Sequence, residues 1–331
     1  MKLTVLGPGC WGLTIAKLLN NNFEEICVWG RSADLTEELR EKKRISKPLE
    51  IQLDKKVEFT SDLKKAIKDA QIILLVVSTT GVRPVCEQIK ELGGLEKNQI
   101  LLNLSKGIEL PSLKRMSEVI SEVLPDINFG VLSGPTLARE IIEGKPTLAT
   151  IACEDMEVAK RAQQLLNVPS LFRLYTNSDV IGVELGGSLK NVIAIASGFA
   201  SAMGLGDNLR GSLLTRGMAE MTRVALALGA KSQTLYGLSG LGDLIATASS
   251  PYSRNYTVGS LLAKGKKIDD ILKDLGSVAE GVKTSKALCE LADKLNIEVP
   301  VSRAIYEAVY TDITPVETVN KLMNRKLKEE D

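Results

Sequence analysis

The chain of 331 residues contains no histidine. This absence excludes every catalytic triad or dyad that uses histidine, and every metal site with imidazole ligands, so acid–base chemistry would fall to Lys, Asp, Glu or Tyr. Cysteine is also scarce, and the five cysteines form no CxxC pair. The sequence therefore predicts neither a disulfide framework nor a metal site, and it fits the reducing cytoplasm.

Neither sign of charge dominates, because 42 Lys and Arg are balanced by 41 Asp and Glu. We therefore expect no binding to nucleic acid or to an anionic membrane surface, and any bound anion must be met by a local cluster of cations. No signal peptide is expected, since Met1 leads straight into an apolar strand. The apolar stretch at residues 180–204 contains Glu184, Lys190 and Asn191, which are expensive in lipid, so it predicts a buried helix without membrane insertion.

Strand and helix patterns divide the sequence into two parts. Up to residue 177, short apolar runs alternate with helical segments, which predicts an α/β fold with a Rossmann-type, doubly wound, mostly parallel sheet. The predicted strands cover residues 2–6, 25–29, 57–60, 70–77, 99–104, 128–132, 146–153 and 170–175. After residue 178 only helical periodicity remains, beginning with residues 180–203. We expect a dinucleotide-binding domain at residues 1–178 and an all-helical substrate-binding and catalytic domain at residues 179–331.

A GxGxxG turn follows the first predicted strand. Gly7, Gly9 and Gly12 precede a helical pattern, which is the context of a dinucleotide site, where the glycines let the backbone approach a pyrophosphate at the helix N-terminus. The second strand leads to Arg31, and no carboxylate occurs before Asp34. An arginine at this place favours the 2′-phosphate of NADPH over NADH. An ordinary exposed loop arginine is the alternative interpretation.

Lys190 and Asn191 lie side by side in an otherwise apolar predicted helix. The lysine either extends along the helix to water, or is buried, in which case desolvation lowers its pKa and makes it a usable proton donor or acceptor. Lys106 follows the fifth predicted strand, at the carboxyl end where open α/β sheets bind ligands. Gly134 and Thr136 follow the next strand in the same way.

Two further groups of polar residues occur in the helical half. Asp243 and Thr247 are spaced i, i+4 and so share a helix face, where the carboxylate could hold a buried lysine; alternatively, Asp243 caps its own helix. Ser253, Arg254 and Asn255 precede another helix, and an arginine beside an amide and a helix N-terminus can bind phosphate. A solvated arginine is the alternative there.

Seven motifs in order along the whole chain resemble those of bacterial NAD(P)-dependent glycerol-3-phosphate dehydrogenases. They are GPGCWG at 7–12, SKGIE at 105–109, SGPT at 133–136, IGVELGGSLKNVIAI at 181–195, GLGDL at 240–244, SRN at 253–255 and VAEG at 278–281. The loop at residues 78–81 departs from the pattern, because it lacks the proline and the His or Gln that many relatives have. Leu13 also replaces a common threonine.

The resemblance implies reversible hydride transfer between NADPH or NADH and dihydroxyacetone phosphate, giving sn-glycerol 3-phosphate for glycerophospholipid synthesis, in a cytoplasmic homodimer. Lys190 would be the proton donor and acceptor, assisted by Lys106, Asp243 and Thr247. The implied substrate contacts are Lys106, Gly134, Thr136, Lys190, Asn191, Asp243, Ser253, Arg254 and Asn255. Besides the three glycines of the turn, the implied cofactor contacts are Cys10, Trp11, Arg31, Lys106, Ala138, Arg254, Val278 and Glu280.

Two alternatives compete with this interpretation. A ketopantoate reductase or β-hydroxyacid dehydrogenase shares the glycine turn and a catalytic lysine followed by asparagine, but its substrates are carboxylates, whereas Ser253, Arg254 and Asn255 suggest a phosphate. A protein that senses NAD(P) without catalysis would keep the dinucleotide fold. The presence of both Lys106 and Lys190 argues against it.

Overall fold

The structure is a computed structural model that describes residues 1–275, 279–327 and 329–330. The strands in these residues are β1 Lys2–Leu6, β2 Glu25–Trp29, β3 Arg44–Ile45, β4 Ile51–Gln52, β5 Val57–Thr60, β6 Ile72–Leu75, β7 Ile100–Asn103, β8 Asn128–Ser133, β9 Thr147–Ala152 and β10 Phe172–Asn177. The helices of the first half are α1 Cys10–Leu18, α2 Ala33–Lys42, α3 Leu63–Ile67, α4 Thr79–Glu91, α5 Met116–Val123, α6 Ala138–Ile142 and α7 Met156–Leu166. Those of the second half are α8 Val180–Ala202, α9 Gly206–Ala227, α10 Ser232–Leu235, α11 Asp243–Ser249, α12 Arg254–Leu262, α13 Ile268–Leu275, α14 Glu280–Leu295, α15 Pro300–Tyr310 and α16 Pro315–Met323, with a π-helical turn at Leu238–Gly242 before α11.

Eight of the strands form one sheet in the order β10-β9-β8-β7-β6-β1-β2-β5. All neighbouring strands are parallel except β8 and β9, which are antiparallel. Strand β6 has the sequence IILL with every residue buried, as expected where helices cover both faces of a parallel sheet. The predicted fold class, a Rossmann-type sheet followed by helices, is confirmed.

The first strand lies between β2 on one side and β6 on the other. Chain connections therefore run in opposite directions from β1, which makes its carboxyl end a topological switch point, where open α/β sheets bind ligands. Helix α1 begins directly at this end of the sheet, and α4 begins at the same end beyond β6. The glycine turn is thus placed at the mouth of the expected dinucleotide crevice.

Helix α8 forms the centre of the helical half. Of its 23 residues, 20 are buried, although its length and composition would also allow it to cross a membrane. Helices α9, α11, α12 and α14 all pack against it. The prediction of a buried helix is therefore confirmed, and this helix supplies both a core and the position of Lys190.

Helix α12 crosses α8 at backbone contact. A Cβ atom at Gly198 would lie 2.0 Å from the carbonyl oxygen of Tyr256, and one at Gly259 would lie 1.9 Å from that of Ile195. No larger residue fits at either place without separating the helices. This crossing brings the start of α12, with Ser253–Asn255 around it, beside the middle of α8.

The structure departs from the sequence-based expectations in two places. The sequence predicts a helix at residues 112–124, whereas α5 begins at Met116, because residues 108–115 form a small hairpin in which Ile108 bridges Arg115 and the Glu109 N–H donates to the Lys114 carbonyl. The structure also contains the two-residue strands β3 and β4, which are too short to give a readable alternation pattern.

Candidate active site

Two lysines share one carboxylate where the carboxyl edge of the sheet meets the helical half. The Nζ atom of Lys190 lies 2.7 Å from Oδ1 of Asp243, and that of Lys106 lies 2.7 Å from Oδ2 of the same residue. Thr247, one turn later on α11, contacts the Lys190 ammonium and donates to Oδ1 of Asp243 over 3.1 Å. With both lysines protonated and Asp243 ionised, the cluster carries one net positive charge, which favours an anionic ligand.

Burial sets the electrostatics of this cluster. Lys190 is 5% exposed, so its ammonium does not extend along the helix to water. Desolvation lowers the pKa of Lys190 to about 8; Asp243 opposes the decrease, whereas the neighbouring Lys106 ammonium contributes to it. Burial would raise the pKa of Asp243, but the two lysines hold it below its usual value. Asp243 therefore acts as an ionised partner of the lysines, and its side chain does not cap α11.

The ends of two neighbouring strands place Lys106. It follows β7, and its Nζ also donates to the carbonyl oxygen of Gly134 over 3.2 Å, just beyond β8. The hydroxyl of Thr136 donates to the same carbonyl over 3.1 Å. Gly187 lets α8 approach these strand ends closely, because a Cβ there would lie 2.2 Å from the Ser133 hydroxyl oxygen and 3.5 Å from Cδ of Lys106.

A chain of amides continues from Lys190 towards α14. The Asn255 amide donates to Oδ1 of Asn191 over 2.9 Å, and its own Oδ1 accepts from the Gly281 N–H over 3.1 Å. Asn191 also donates to Gly187 over 3.5 Å. The two asparagines are buried and thus have defined orientations next to the lysine pair.

Arg254 lies at the first position of α12, after the buried N-cap Ser253, whose hydroxyl accepts from the Tyr256 N–H. The Arg254 side chain is exposed and forms no hydrogen bond or ion pair with any described residue. Its charge acts on Cys10 in the glycine turn, where burial raises the pKa of the thiol and Arg254 opposes that increase. Arg254 is therefore near enough to the glycine turn for its charge to act there.

The glycine turn has the geometry that close backbone approach requires. Gly7 has φ +126°, and a Cβ at Gly12 would lie 2.0 Å from the Gly7 carbonyl oxygen. Gly9 is the N-cap of α1, and no side chain caps this helix terminus. Its first N–H groups are therefore free to bind an anion.

Other predicted cofactor residues surround this turn. Trp11 is half-buried against the core of the sheet, and Ala138 begins α6, which packs against α1. Arg31 is exposed two residues after the end of β2. Val278 lies outside the described residues, so its predicted role has no structural counterpart.

Glu280, the first residue of α14, bonds across the cleft to α4. Its carboxylate accepts from the Thr79 hydroxyl over 2.9 Å and from the Thr79 N–H over 3.3 Å. Thr79 lies in the loop that departs from the motif pattern, and its contact was missed from the sequence. The signal that the sequence offered was a hydroxyl residue between a buried strand and the start of a helix, a place where polar contacts to helix N–H groups are common.

Comparison with known proteins decides the family. Family models for the N-terminus and the C-terminus of NAD-dependent glycerol-3-phosphate dehydrogenase match residues 2–159 and 179–320. The chain belongs to this family. It is 41% identical over 333 residues to the glycerol-3-phosphate dehydrogenase [NAD(P)+] of Carboxydothermus hydrogenoformans, with 100% of this chain and 98% of the relative covered.

Solved structures agree with the glycerol-3-phosphate dehydrogenase family. The enzyme of this name from Coxiella burnetii superposes with a TM-score of 0.91 at 30% identity, covering 98% of this chain and 99% of that one. A PanE/ApbA family ketopantoate reductase from Ralstonia eutropha superposes with a TM-score of 0.62 at 16% identity, covering 97% of this chain and 100% of that one. The second likeness shows a shared fold only.

Proposed function

We propose that this oxidoreductase interconverts dihydroxyacetone phosphate and sn-glycerol 3-phosphate with NADPH or NADH, and so supplies the backbone of glycerophospholipids. The observation that carries the proposal is the Lys106–Asp243–Lys190 cluster, in which Asp243 and Lys190 are buried and which lies at the same carboxyl edge of the sheet as a glycine turn suited to a dinucleotide. Its net positive charge fits an anionic substrate. Its lowered lysine pKa fits proton transfer near neutral pH.

The crevice at the carboxyl end of β1 fits a nicotinamide dinucleotide. The free N-terminus of α1, with Gly7, Gly9 and Gly12 before and within its first turn, would hold the pyrophosphate. A bound nicotinamide supplies hydride for ketone reduction and accepts it in the reverse direction. Arg31, exposed at the end of β2, would bind the 2′-phosphate of NADPH.

Lys190 would move the proton. Reduction of the ketone builds negative charge on its oxygen, and the Lys190 ammonium would stabilise this charge and donate the proton. In the reverse direction, the neutral amine would accept the proton of the secondary hydroxyl. Asp243 and Thr247 would hold the amine in place in both directions, and Lys106 would add a second positive charge beside the oxygen.

The phosphate would bind at the start of α12. Arg254 would donate charge-assisted hydrogen bonds to the phosphate. The N–H groups at the start of α12, which form the positive end of the helix dipole, would also attract it. Ser253 and Asn255 would complete this end of the site, with Asn191 orienting Asn255. Gly134 and Thr136 would contact the substrate from the sheet.

Steady-state assays test the reaction. We expect oxidation of NADPH or NADH, followed by its absorbance, when dihydroxyacetone phosphate is added, and little oxidation with 2-ketopantoate. Turnover of 2-ketopantoate alone would favour the reductase alternative. No substrate-dependent change with either cofactor, together with measurable cofactor binding, would favour a sensor.

We further propose that residues 1–178 and 179–331 act as the dinucleotide and catalytic domains of a cytoplasmic homodimer without membrane insertion. The chain leaves the sheet at Asn177 and enters α8 at Val180, which supports this division. Light scattering of the purified protein tests the assembly. A mass of one chain at micromolar concentration would contradict the dimer.

A further inference from the structure

Glu184 is a buried carboxylate that the proposed mechanism does not use. It lies in the second turn of α8, six residues before Lys190, and its side chain is 1% exposed. Burying a carboxylate is costly unless it is paired and hydrogen-bonded. Its partners therefore indicate what it does in the fold.

Among the described residues, all the hydrogen-bond partners of Glu184 lie at the start of α5. Oε1 accepts from the Ser117 N–H over 2.8 Å, and Oε2 accepts from the Ser117 hydroxyl over 2.5 Å and from Nη1 of Arg115 over 3.1 Å. A helix N-terminus has free N–H groups and a positive end, so the carboxylate caps α5 from another element. The resulting contact ties α8 to the dinucleotide-binding half.

The segment that ends at this cap begins at Lys106. Between β7 and α5 the chain forms the small hairpin in which Ile108 bridges Arg115. Its other end is also held by α8, because the Ser188 hydroxyl donates to the Gly107 carbonyl over 3.5 Å. Glu184 and Ser188 are four residues apart and so share one face of α8. One helix face thus contacts both ends of the segment that carries Lys106.

We infer that Glu184 is a positioning residue, which holds the Lys106 segment against α8 and so fixes the separation of the Lys106 and Lys190 ammonium groups. The inference rests on the proposed function, which assigns these two groups to the reacting centre. Glu184 itself touches neither ammonium, and its influence passes through Arg115 and Ser117 to the hairpin.

This arrangement has an electrostatic consequence that can be measured. Asp243 from α11 and Lys106 from the hairpin segment are the charged groups that act on Lys190, the first raising its pKa and the second lowering it. If the hairpin shifts and Lys106 moves away, the lowering is reduced, and the pKa of Lys190 rises above about 8. A purely structural role for Glu184 would leave this pKa unchanged.

The test is Glu184→Gln in the full-length enzyme. Glutamine keeps the size of the side chain but loses the charge that pairs with Arg115, and it cannot accept from all three donors. We expect kcat for dihydroxyacetone phosphate to fall about tenfold and the alkaline limb of the kcat–pH profile to move up by about half a unit, as for a misplaced neighbouring charge. Cofactor affinity should stay near that of the unaltered enzyme.

Glu220→Gln is the matched control. Glu220 is equally buried and caps α15 from α9, accepting from Val301 N–H over 2.6 Å and from the N–H and hydroxyl of Ser302 over 3.0 and 2.8 Å. It has no contact with the hairpin or with either lysine. We expect this variant to lose stability without a change in the pH profile. An identical loss of kcat and identical profiles in both variants would overturn the inference.

A second variant and a direct pKa measurement test the inference even if Glu184→Gln folds poorly or has no activity. Ser117→Ala removes one donor and keeps the Glu184 side chain in place, so a smaller shift in the same direction is expected, and no shift would contradict the inference. The chemical shift of the Lys190 Cε carbon, followed by NMR at a series of pH values, gives its pKa without turnover. A shift in the pKa of Lys190 in Glu184→Gln supports the inference even if dihydroxyacetone phosphate proves not to be the substrate. An unshifted pKa in an enzyme that does turn over dihydroxyacetone phosphate overturns the inference and leaves the proposed function intact.

Discussion

The two groups of cations in the proposed site differ in how far other protein groups hold them in place. Lys106 and Lys190 share Asp243, and each has a hydrogen-bonded position. Arg254 and Arg31 are exposed, and neither has a hydrogen bond or ion pair among the described residues. The structure thus holds the proposed proton-transfer groups with protein partners and leaves the proposed phosphate-binding groups exposed.

This difference has a physical basis. A buried ammonium is tolerated only when a carboxylate and hydrogen bonds compensate for its desolvation, so the lysine pair requires Asp243 and Thr247. An exposed guanidinium needs no partner, because water solvates it. Changes in the buried group should therefore affect kcat and pH dependence, whereas changes in the exposed group should affect binding.

Lys190→Ala should have the largest effect. Loss of a general acid costs roughly 10² to 10⁴ in kcat. Cofactor binding should stay normal, because the hydrogen bonds of Lys190 go to Asp243 and Thr247 of α11 and not to the glycine turn. Steady-state kinetics and cofactor titration measure the two properties separately. If kcat stayed near normal, the buried lysine would be structural and the contrast between the two groups would lose its basis.

Asp243→Asn should come next. The exchange leaves two ammonium groups without their shared counter-charge, and because Asp243 raises the pKa of Lys190 while Lys106 lowers it, this pKa should fall below about 8. We expect kcat to drop on the order of 10²-fold and the free energy of unfolding to fall by about 3 kcal/mol. Denaturant unfolding and the kcat–pH profile test both. A profile that moves to higher pH would contradict the assigned charges.

Arg254→Ala should act on binding. A charge-assisted hydrogen bond contributes about 1.5 to 3 kcal/mol, so KM for dihydroxyacetone phosphate should rise about 10- to 100-fold, with a smaller change in kcat. Arg139→Ala is a suitable control, because Arg139 stacks on the ring of Tyr252 and has no assigned role in the site. An unchanged KM would remove the phosphate site from the start of α12.

The unaltered enzyme should show the pH dependence of the buried group. Ketone reduction needs the Lys190 ammonium, so kcat should fall about tenfold per unit above a pH near 8, and glycerol 3-phosphate oxidation should rise through the same range because it needs the neutral amine. Profiles measured in both directions with saturating substrate test this. Parallel profiles in the two directions would exclude Lys190 as the proton carrier.

Local patterns in the sequence predicted the secondary-structure elements better than they predicted which side chains bond to each other across the fold. The run IILL identified β6, and the GxGxxG spacing identified the turn, because strand burial and tight turns depend on neighbours in the chain. The bond between Lys190 and Asp243 spans 53 residues, and no periodicity links these positions. From the residues alone this pairing was one of two open alternatives for Asp243, and it arises in the structure from the packing of α11 on α8.

The missed contacts have the same origin. The bond of Glu280 to Thr79 spans 201 residues, and those of Glu184 to Ser117 span 67. In the sequence, Glu184 only interrupts an apolar helix, and its capping role exists because the sheet brings α5 against α8. Long-range satisfaction of buried polar groups is a property of the packed fold, so composition and spacing do not contain it.

Arg31→Ala should have the smallest effect, limited to the choice of cofactor. Because Arg31 is exposed and unpaired, its removal should leave folding and NADH kinetics unchanged, and it should lower kcat/KM for NADPH about tenfold through loss of one screened contact to the 2′-phosphate. Comparing kcat/KM for the two cofactors at fixed dihydroxyacetone phosphate measures this. Equal losses for both cofactors would mean that Arg31 contacts a part they share, and the NADPH preference would then have to come from another residue. A loss for NADPH alone would complete the contrast, since the exposed arginine would select the cofactor while the lysine pair would carry out the proposed proton transfer.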